Sequence, residues 1–345
     1  MVDTYAGFSL TRLESLLDAM KDVRVGLIGD ACLDVYWEAD MTLSELSRET
    51  PHFPLPVVEE RMSGGAAANT ALDFAALGVA SVILLSVIGE DWRADQLLKV
   101  LRKAGVSTEH IISSPDRVTP AYCKPRRHGI SGVVYEAPRI DFENRKPLPA
   151  DIEAALIEWL REIALSVDVI AVVDQLKYGV VTEKVVCELE HLAAQGKLIV
   201  VDSRMRIGRY KRVIVKPNEI EAIRAVYPQL DPRRCSKEDW YGAAKKLAQQ
   251  VEGPVLMTVG DKGAVWVEKG NITEIPTKPV EPPIDIVGAG DAFMAAFCAA
   301  LAVGASGFEA AYLGNLAAAV AVRKIGITGT ASPEEIRHRY AEVNL

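Results

Sequence analysis

The chain has 345 residues, 49% of them hydrophobic and 25% charged, which is enough for one large domain or two of ordinary size. Its 39 Lys and Arg against 47 Asp and Glu leave a net charge of −8, so no field over the whole molecule draws in polyanions and no nucleic-acid partner is expected. The longest strongly apolar uncharged run, 292–303, is shorter than the roughly 18 residues of a spanning helix, and nothing near the start reads as a secretory leader, so a cytoplasmic protein with no membrane partner is expected.

In chain order, Leu10, Leu13, Leu16, Leu17 and Met20 follow the spacing of an amphipathic helix. Strands are predicted over 23–28, 82–88, 169–173, 198–201, 213–216 and 255–259. Between them lie helical patterns over 66–77, 95–104, 152–164, 182–195, 237–250 and 290–303, with Gly78, Gly105 and Gly196 where left-handed C-caps would stand. This alternation predicts an α/β fold of three layers, a mostly parallel central sheet with helices on both faces. Two stretches interrupt it. Residues 35–61 carry Pro51, Pro54 and Pro56, and residues 119–147 read as extended, basic segments that include Lys124, Arg126, Arg127 and Arg139. They are expected to pair as a small sheet over the C-terminal edge of the main one, where doubly wound folds bind ligands. Ordinary surface hairpins are the plain alternative. With no repeat and no linker, residues 1–345 are expected to form a single domain. The five cysteines, at 32, 123, 187, 235 and 298, are odd in number and widely spaced, which predicts reduced, buried thiols.

The strongest chemical motif is Asp285-Ile286-Val287-Gly288-Ala289-Gly290-Asp291, followed at once by a helix of small residues. Its glycines let backbone N–H groups converge, and the helix N-terminus adds its positive end, so 288–290 can form an anion hole. Asp291, in the first turn, is placed to take a proton from a hydroxyl that attacks a phosphoryl group there; the simpler role is to complement the helix dipole. A second motif, Ser63-Gly64-Gly65-Ala66-Ala67-Ala68-Asn69-Thr70, opens another helix, and its Asn69 offers both a donor and an acceptor to sugar hydroxyls. Asp34, after the first strand, can hold a pair of hydroxyls, whereas Asp30 reads equally as a loop cap. In Lys216-Pro217-Asn218-Glu219-Ile220-Glu221, Asn218 and Glu221 share a helix face and suit a water-bound magnesium ion, or else simply cap the helix. The P-loop, dinucleotide, zinc-protease and serine-hydrolase motifs are all absent.

In this order and spacing, the elements resemble the ribokinase (PfkB-type) family of carbohydrate kinases over about residues 22–340. The resemblance implies a ribokinase-like fold with a β-lid, ATP and Mg²⁺ as cofactors, a sugar or sugar phosphate as partner, and dimerisation through the lid. It makes Asp291 the general base and 288–290 (Gly288, Ala289, Gly290) the anion hole. Asn218 and Glu221 would serve Mg²⁺, and Asp34, Gly64, Gly65 and Asn69 would face the sugar. Thr258, Gly260, Gly263 and Asn315 fall where the nucleotide is held. Within the family, 33–37, 54–58, 139–143 and 329–333 look most like heptose-7-phosphate kinases, some of which carry a fused nucleotidyltransferase. Two departures bear on the chemistry. Ile286 stands where the family usually has Thr or another small residue, beside the Asp285 region where a monovalent cation would lie. Lys177 aligns where ribokinases tend to have Glu; a cation there, with Arg139 nearby in the lid, implies an acceptor bearing phosphate or carboxylate, unless the lysine merely snorkels from a strand end. The expected activity is transfer of the ATP γ-phosphoryl group to a hydroxyl of a heptose-7-phosphate-like acceptor. The alternatives are another acceptor (ribose, fructose phosphate, a keto-deoxy sugar acid or a nucleoside) and a non-catalytic sugar- or nucleotide-binding relative.

Overall fold

A computed structural model describes residues 2–344. At its centre the strands Arg24–Gly29 and Val169–Asp174 pair in parallel, and each is an almost unbroken apolar run because helices cover both of its faces. Ile170 and Val172 point into the core on one face, and Val169, Ala171 and Val173 into the core on the other, the two-residue period of a strand. From one edge the ten-stranded sheet runs Val2–Thr4, Asn271–Ile275, Ala264–Glu268, Val255–Thr258, Ile214–Val215, Ile199–Ser203, Val169–Asp174, Arg24–Gly29, Ser81–Gly89 and Ile111–Ser114. The pairings are parallel except where Ala264–Glu268 meets its two neighbours. The hairpin that reverses the chain there turns at Lys269 and Gly270, both with positive φ, the conformation a two-residue turn between twisted strands requires.

The helices follow the apolar stripes at 67–77, 92–103, 150–164, 183–194, 237–251 and 289–302, and Gly78, Gly105 and Gly196 all adopt positive φ. One further long helix has no such stripe. Gly307–Ala321 is apolar nearly all round because it is buried against Ala289–Ala302, so no single face stands out in its sequence. The approach is close enough that a Cβ on Gly314 would lie 2.7 Å from the ring of Phe293. Pro333–Asn344 closes the chain.

A second, five-stranded sheet is built from Val57–Ala66, Ala31–Asp40 and Ala121–His128, with Val134–Glu136 and Ile140–Phe142 both pairing with Ala121–His128. Segments 35–61 and 119–147 therefore meet in one sheet, through a parallel pairing from Leu33↔Ala121 to Asp40↔His128. The sheet grows directly out of the site end of the main one. Arg24–Gly29 passes through Asp30 into Ala31–Asp40, and Val57–Ala66 runs into helix Ala67–Leu77. Asp30 anchors the junction: its buried carboxylate accepts the amides of Gln175 (2.9 Å), Leu176 (2.7 Å) and Val180 (2.8 Å). A Cβ on Gly179 would come 2.1 Å from that carboxylate, so only glycine closes the loop.

The thiols need a correction. All five are free, but only Cys32, Cys123 and Cys298 are buried; Cys187 is exposed and Cys235 half-exposed, because a thiol can also sit on the outer face of an amphipathic helix or in a surface loop. Among the described residues no helix is long and apolar enough to cross a membrane.

Candidate active site

Helix Ala289–Ala302 begins at Gly288, whose φ of 83° lies in the left-handed region. A Cβ there would approach Thr328 Cγ2 to 2.8 Å and Asn69 Nδ2 to 3.2 Å, so glycine is required on both counts. The turn lies at a helix N-terminus, a ready anion site, although the Ala289 amide already donates to the Ile286 carbonyl at 3.3 Å. Asp285 stitches the turn together: its carboxylate accepts the amides of Val287 (3.1 Å) and Gly326 (3.0 Å). Ile286 projects into solvent.

Asp291 sits in the first turn of this helix, half-buried. Its Oδ2 accepts from Asn69 Nδ2 at 2.7 Å and its Oδ1 from Thr70 Oγ1 at 3.1 Å. Burial pushes its carboxyl up to about 6, with Asp202 adding to the effect and Asn69, Lys216 and Thr70 opposing it. A carboxylate that protonates near neutrality, held by two donors, is suited to act as a general base.

The glycine pair packs this part of the site tightly. A Cβ on Gly64 would meet the Ala68 carbonyl carbon at 2.8 Å, and one on Gly65 would meet Asp34 Oδ1 at 3.1 Å. Asn69 is wholly buried, and its Nδ2 donates to Asp291 and, at 3.3 Å, to Asp73. It therefore holds the carboxylate of Asp291. Asp34 is buried beside Gly65 and pairs with Lys124 Nζ at 3.1 Å, while the same ammonium donates to Tyr36 at 3.0 Å. Burial pushes the Asp34 carboxyl up and Lys124 pulls it back. Farther along the small sheet, Glu38 receives Arg61, Arg126 and His128, and Arg61 also donates to the carbonyl of Gly326. Arg139 is engaged with Asp141 through two contacts, at 2.6 and 2.7 Å. Lys177 is exposed, its ammonium 5.2 Å above the ring of Tyr178, with no acidic partner among the described residues.

On the other side of the turn lies a cavity of about 500 Å³. Ala289 and Gly290 belong to its lining with Thr258, Gly260, Gly263, Asn315 and Asn218, and apolar walls come from Ile220, Phe293 and Val322. Asn315 is oriented by a bond from its Nδ2 to the carbonyl of Ile275 (3.0 Å). The size and the apolar character, with a few polar groups in the lining, fit a nucleotide. Asn218 and Glu221 close a capping box, each side chain on the other's amide at 2.8 and 2.9 Å. Burial and the charge of Asp202 push the Glu221 carboxyl up to about 7. Among the described residues no three or more acidic, Cys or His groups are arranged to hold a metal. Glu221, with the Asp202 carboxylate near it, still offers a place for a hydrated cation, so this donor set fits Mg²⁺ held through water.

The motif reading missed Lys216. It is buried at a strand end, paired with Asp202 at 2.7 Å, and its Nζ lies 4.0 Å from where a Cβ on Gly290 would stand. A cation is thereby fixed beneath the anion turn. The available signal was a lysine immediately before Pro217-Asn218, in an otherwise apolar strand.

The pfkB family carbohydrate kinases match residues 33–335 of the chain. The chain is 32% identical over 330 residues to bifunctional protein HldE of Trichlorobacter lovleyi, covering 94% of this chain and 64% of that protein. It is 33% identical over 333 residues to the protein of the same name from Gluconobacter oxydans, covering 93% and 65%. The chain thus spans about 64% of the length of the first of these relatives. Phosphofructokinase-2 from Escherichia coli, in complex with substrates and products, superposes with a TM-score of 0.71 at 21% identity, covering 94% of this chain and 100% of that one. Arabidopsis thaliana ribokinase complexed with ribose and ATP gives 0.69 at 18%, covering 92% and 98%. These two share the ribokinase-like fold with this chain. With the family matched across most of its length, this chain belongs to the pfkB family of carbohydrate kinases.

Proposed function

We propose that the chain is a single-domain, cytoplasmic, ATP-dependent kinase that phosphorylates a hydroxyl of a sugar phosphate resembling a heptose 7-phosphate. The observation that carries this reading is the position of the 288–291 turn. Ala289 and Gly290 line the cavity, while Gly288 and Asp291 touch Asn69 and Thr70 on the helix that follows strand Val57–Ala66 of the small sheet. A phosphoryl group on this turn and a hydroxyl on the sheet side would meet at Asp291.

The cavity orients the nucleotide through Thr258, Gly260, Gly263 and Asn315. The amides of 288–290, with Lys216 behind them, stabilise charge on the group in transfer. Mg²⁺, when bound near Asn218 and Glu221, supplies charge neutralisation on the phosphates. Asp291 takes the acceptor proton, with Asn69 and Thr70 fixing its orientation. Asp34 and Lys124 bind the acceptor from the small sheet, which acts as a lid that excludes water. Lys177, Arg126 and Arg139 supply positive charge for the phosphate already on the acceptor. Support for that acceptor class comes from the sequence likeness to the HldE proteins and from the uncompensated charge of Lys177. The lid also carries exposed Leu46, Phe53, Val58, Ile130 and Val133, a face suited to a second copy of the chain.

The test is ADP release against a panel of ribose, fructose 6-phosphate, a keto-deoxy sugar acid, a nucleoside and a heptose 7-phosphate. Turnover highest with the heptose phosphate is expected. Turnover only with unphosphorylated sugars would remove the acceptor assignment, and no release with any of them would remove catalysis.

A further inference from the structure

Asp73 is a buried acid without a charged partner, one turn beyond Asn69 on helix Ala67–Leu77. It is 1% exposed, and its Oδ2 accepts from the same Asn69 nitrogen that donates to Asp291. Its Oδ1 and the Oδ1 of Asn69 are both buried without a partner. The charged groups that face it are Asp291, from helix Ala289–Ala302, and Lys324, just after helix Gly307–Ala321; Asp291 in turn faces Lys216 and Asp202 from the strand ends. Burial pushes the Asp73 carboxyl well above the carboxylate range, the charge of Asp291 adds to that, and Lys324 only partly offsets it.

An Asn amide nitrogen has two hydrogens. Here one points to the base and the other to Asp73, so the second bond fixes where the first is aimed. An ionised Asp73 would put a second negative charge one amide away from Asp291, and would leave a charged oxygen buried without a donor. The neutral acid keeps the acceptor and avoids both costs.

We propose that Asp73 is a positioning residue, carried as a neutral carboxylic acid, that holds the Asn69 amide on Asp291 and so sets the pH at which the base becomes available. This rests on reading Asp291 as the general base, but part of its test does not. An infrared difference spectrum of wild type minus Asp73→Asn at pH 8 reads the protonation of Asp73 with no substrate present. A carbonyl band of a protonated acid in wild type, missing in the variant, is expected; its absence would overturn the proposal.

The second part follows ADP release against pH, with ATP and a heptose 7-phosphate. Asp73→Asn keeps a neutral acceptor, so kcat within about twofold of wild type and an unmoved acid limb are expected. Asp73→Leu fills the space without an acceptor; it should lower kcat about tenfold, the equivalent of one lost orienting hydrogen bond, with the KM for ATP unchanged. Its acid limb should move to higher pH, because a loosened Asn69 no longer favours the ionised form of Asp291. A limb that moves to lower pH in Asp73→Asn would show an ionised Asp73 and overturn the proposal, as would an Asp73→Leu enzyme with wild-type kcat and limb. If Asp73→Leu does not fold, the infrared band and the Asp73→Asn profile decide alone. Full turnover in Asp291→Asn would remove the base reading and leave the infrared result standing.

Discussion

The cavity and the small sheet are built from different materials, although both end at the 288–291 turn. Apolar side chains and backbone wall the cavity, and its helices pack so closely that Gly314 must be glycine. Paired charges fill the sheet side: Asp34 with Lys124, Glu38 with Arg61, Arg126 and His128, and Arg139 with Asp141. An apolar wall cannot easily change shape. The exposed pair of Arg139 with Asp141 contributes little stability and exchanges partners cheaply, so an incoming anion can compete for its cation. One side is thus preformed for a ligand common to many kinases, and the other is adjustable for a specific acceptor.

Substitutions can separate the two sides. At their boundary, Asp291→Asn removes the base and should lower kcat by roughly 10²–10⁴-fold, while ATP binding measured by calorimetry stays near wild type. Gly288→Ala adds a Cβ against Thr328 and Asn69 at a positive φ, and should lower kcat about 10²-fold by displacing the anion turn. Ala318→Phe intrudes on the cavity alone, so the KM for ATP should rise about tenfold with the KM for the acceptor unchanged; the reverse would break the comparison. The pH profile reports on the boundary. Asp291 must be ionised to act and its carboxyl is raised to about 6, so kcat should fall about tenfold per unit below that value and level off above it. Lys124→Gln leaves the cavity untouched but strands the buried Asp34 carboxylate, so the acceptor KM should rise about tenfold with the KM for ATP unchanged.

Much of the frame was legible in the sequence. The strands at 24–29, 81–89 and 169–174 and their intervening helices follow from apolar period and glycine caps, because each segment's own pattern reflects which faces are covered. The hairpin 264–275 and the buried helix Gly307–Ala321 were not, since a two-residue turn and a helix apolar on every side carry little periodic signal. Glycine motifs marked the candidate turn at 288–291 and the segment at 64–69, where the chain needs positive φ or close approach. What each polar side chain touches was less legible. Sequence reasoning offered Asn69 to sugar hydroxyls, and nothing local announced that the fold also joins its Nδ2 to Asp291, 222 positions away.

By itself the sequence determined the kind of molecule this is: an acidic α/β chain with a glycine-bordered acid at a helix N-terminus, because periodicity and backbone conformation are local properties. Only the tertiary structure decided that two separate inserted stretches form one sheet, that Lys216 lies beneath the anion turn, and that Asn69 joins Asp73 to Asp291. Those relations depend on which distant segments pack together, and a buried polar contact leaves no repeating pattern in either of the segments it connects.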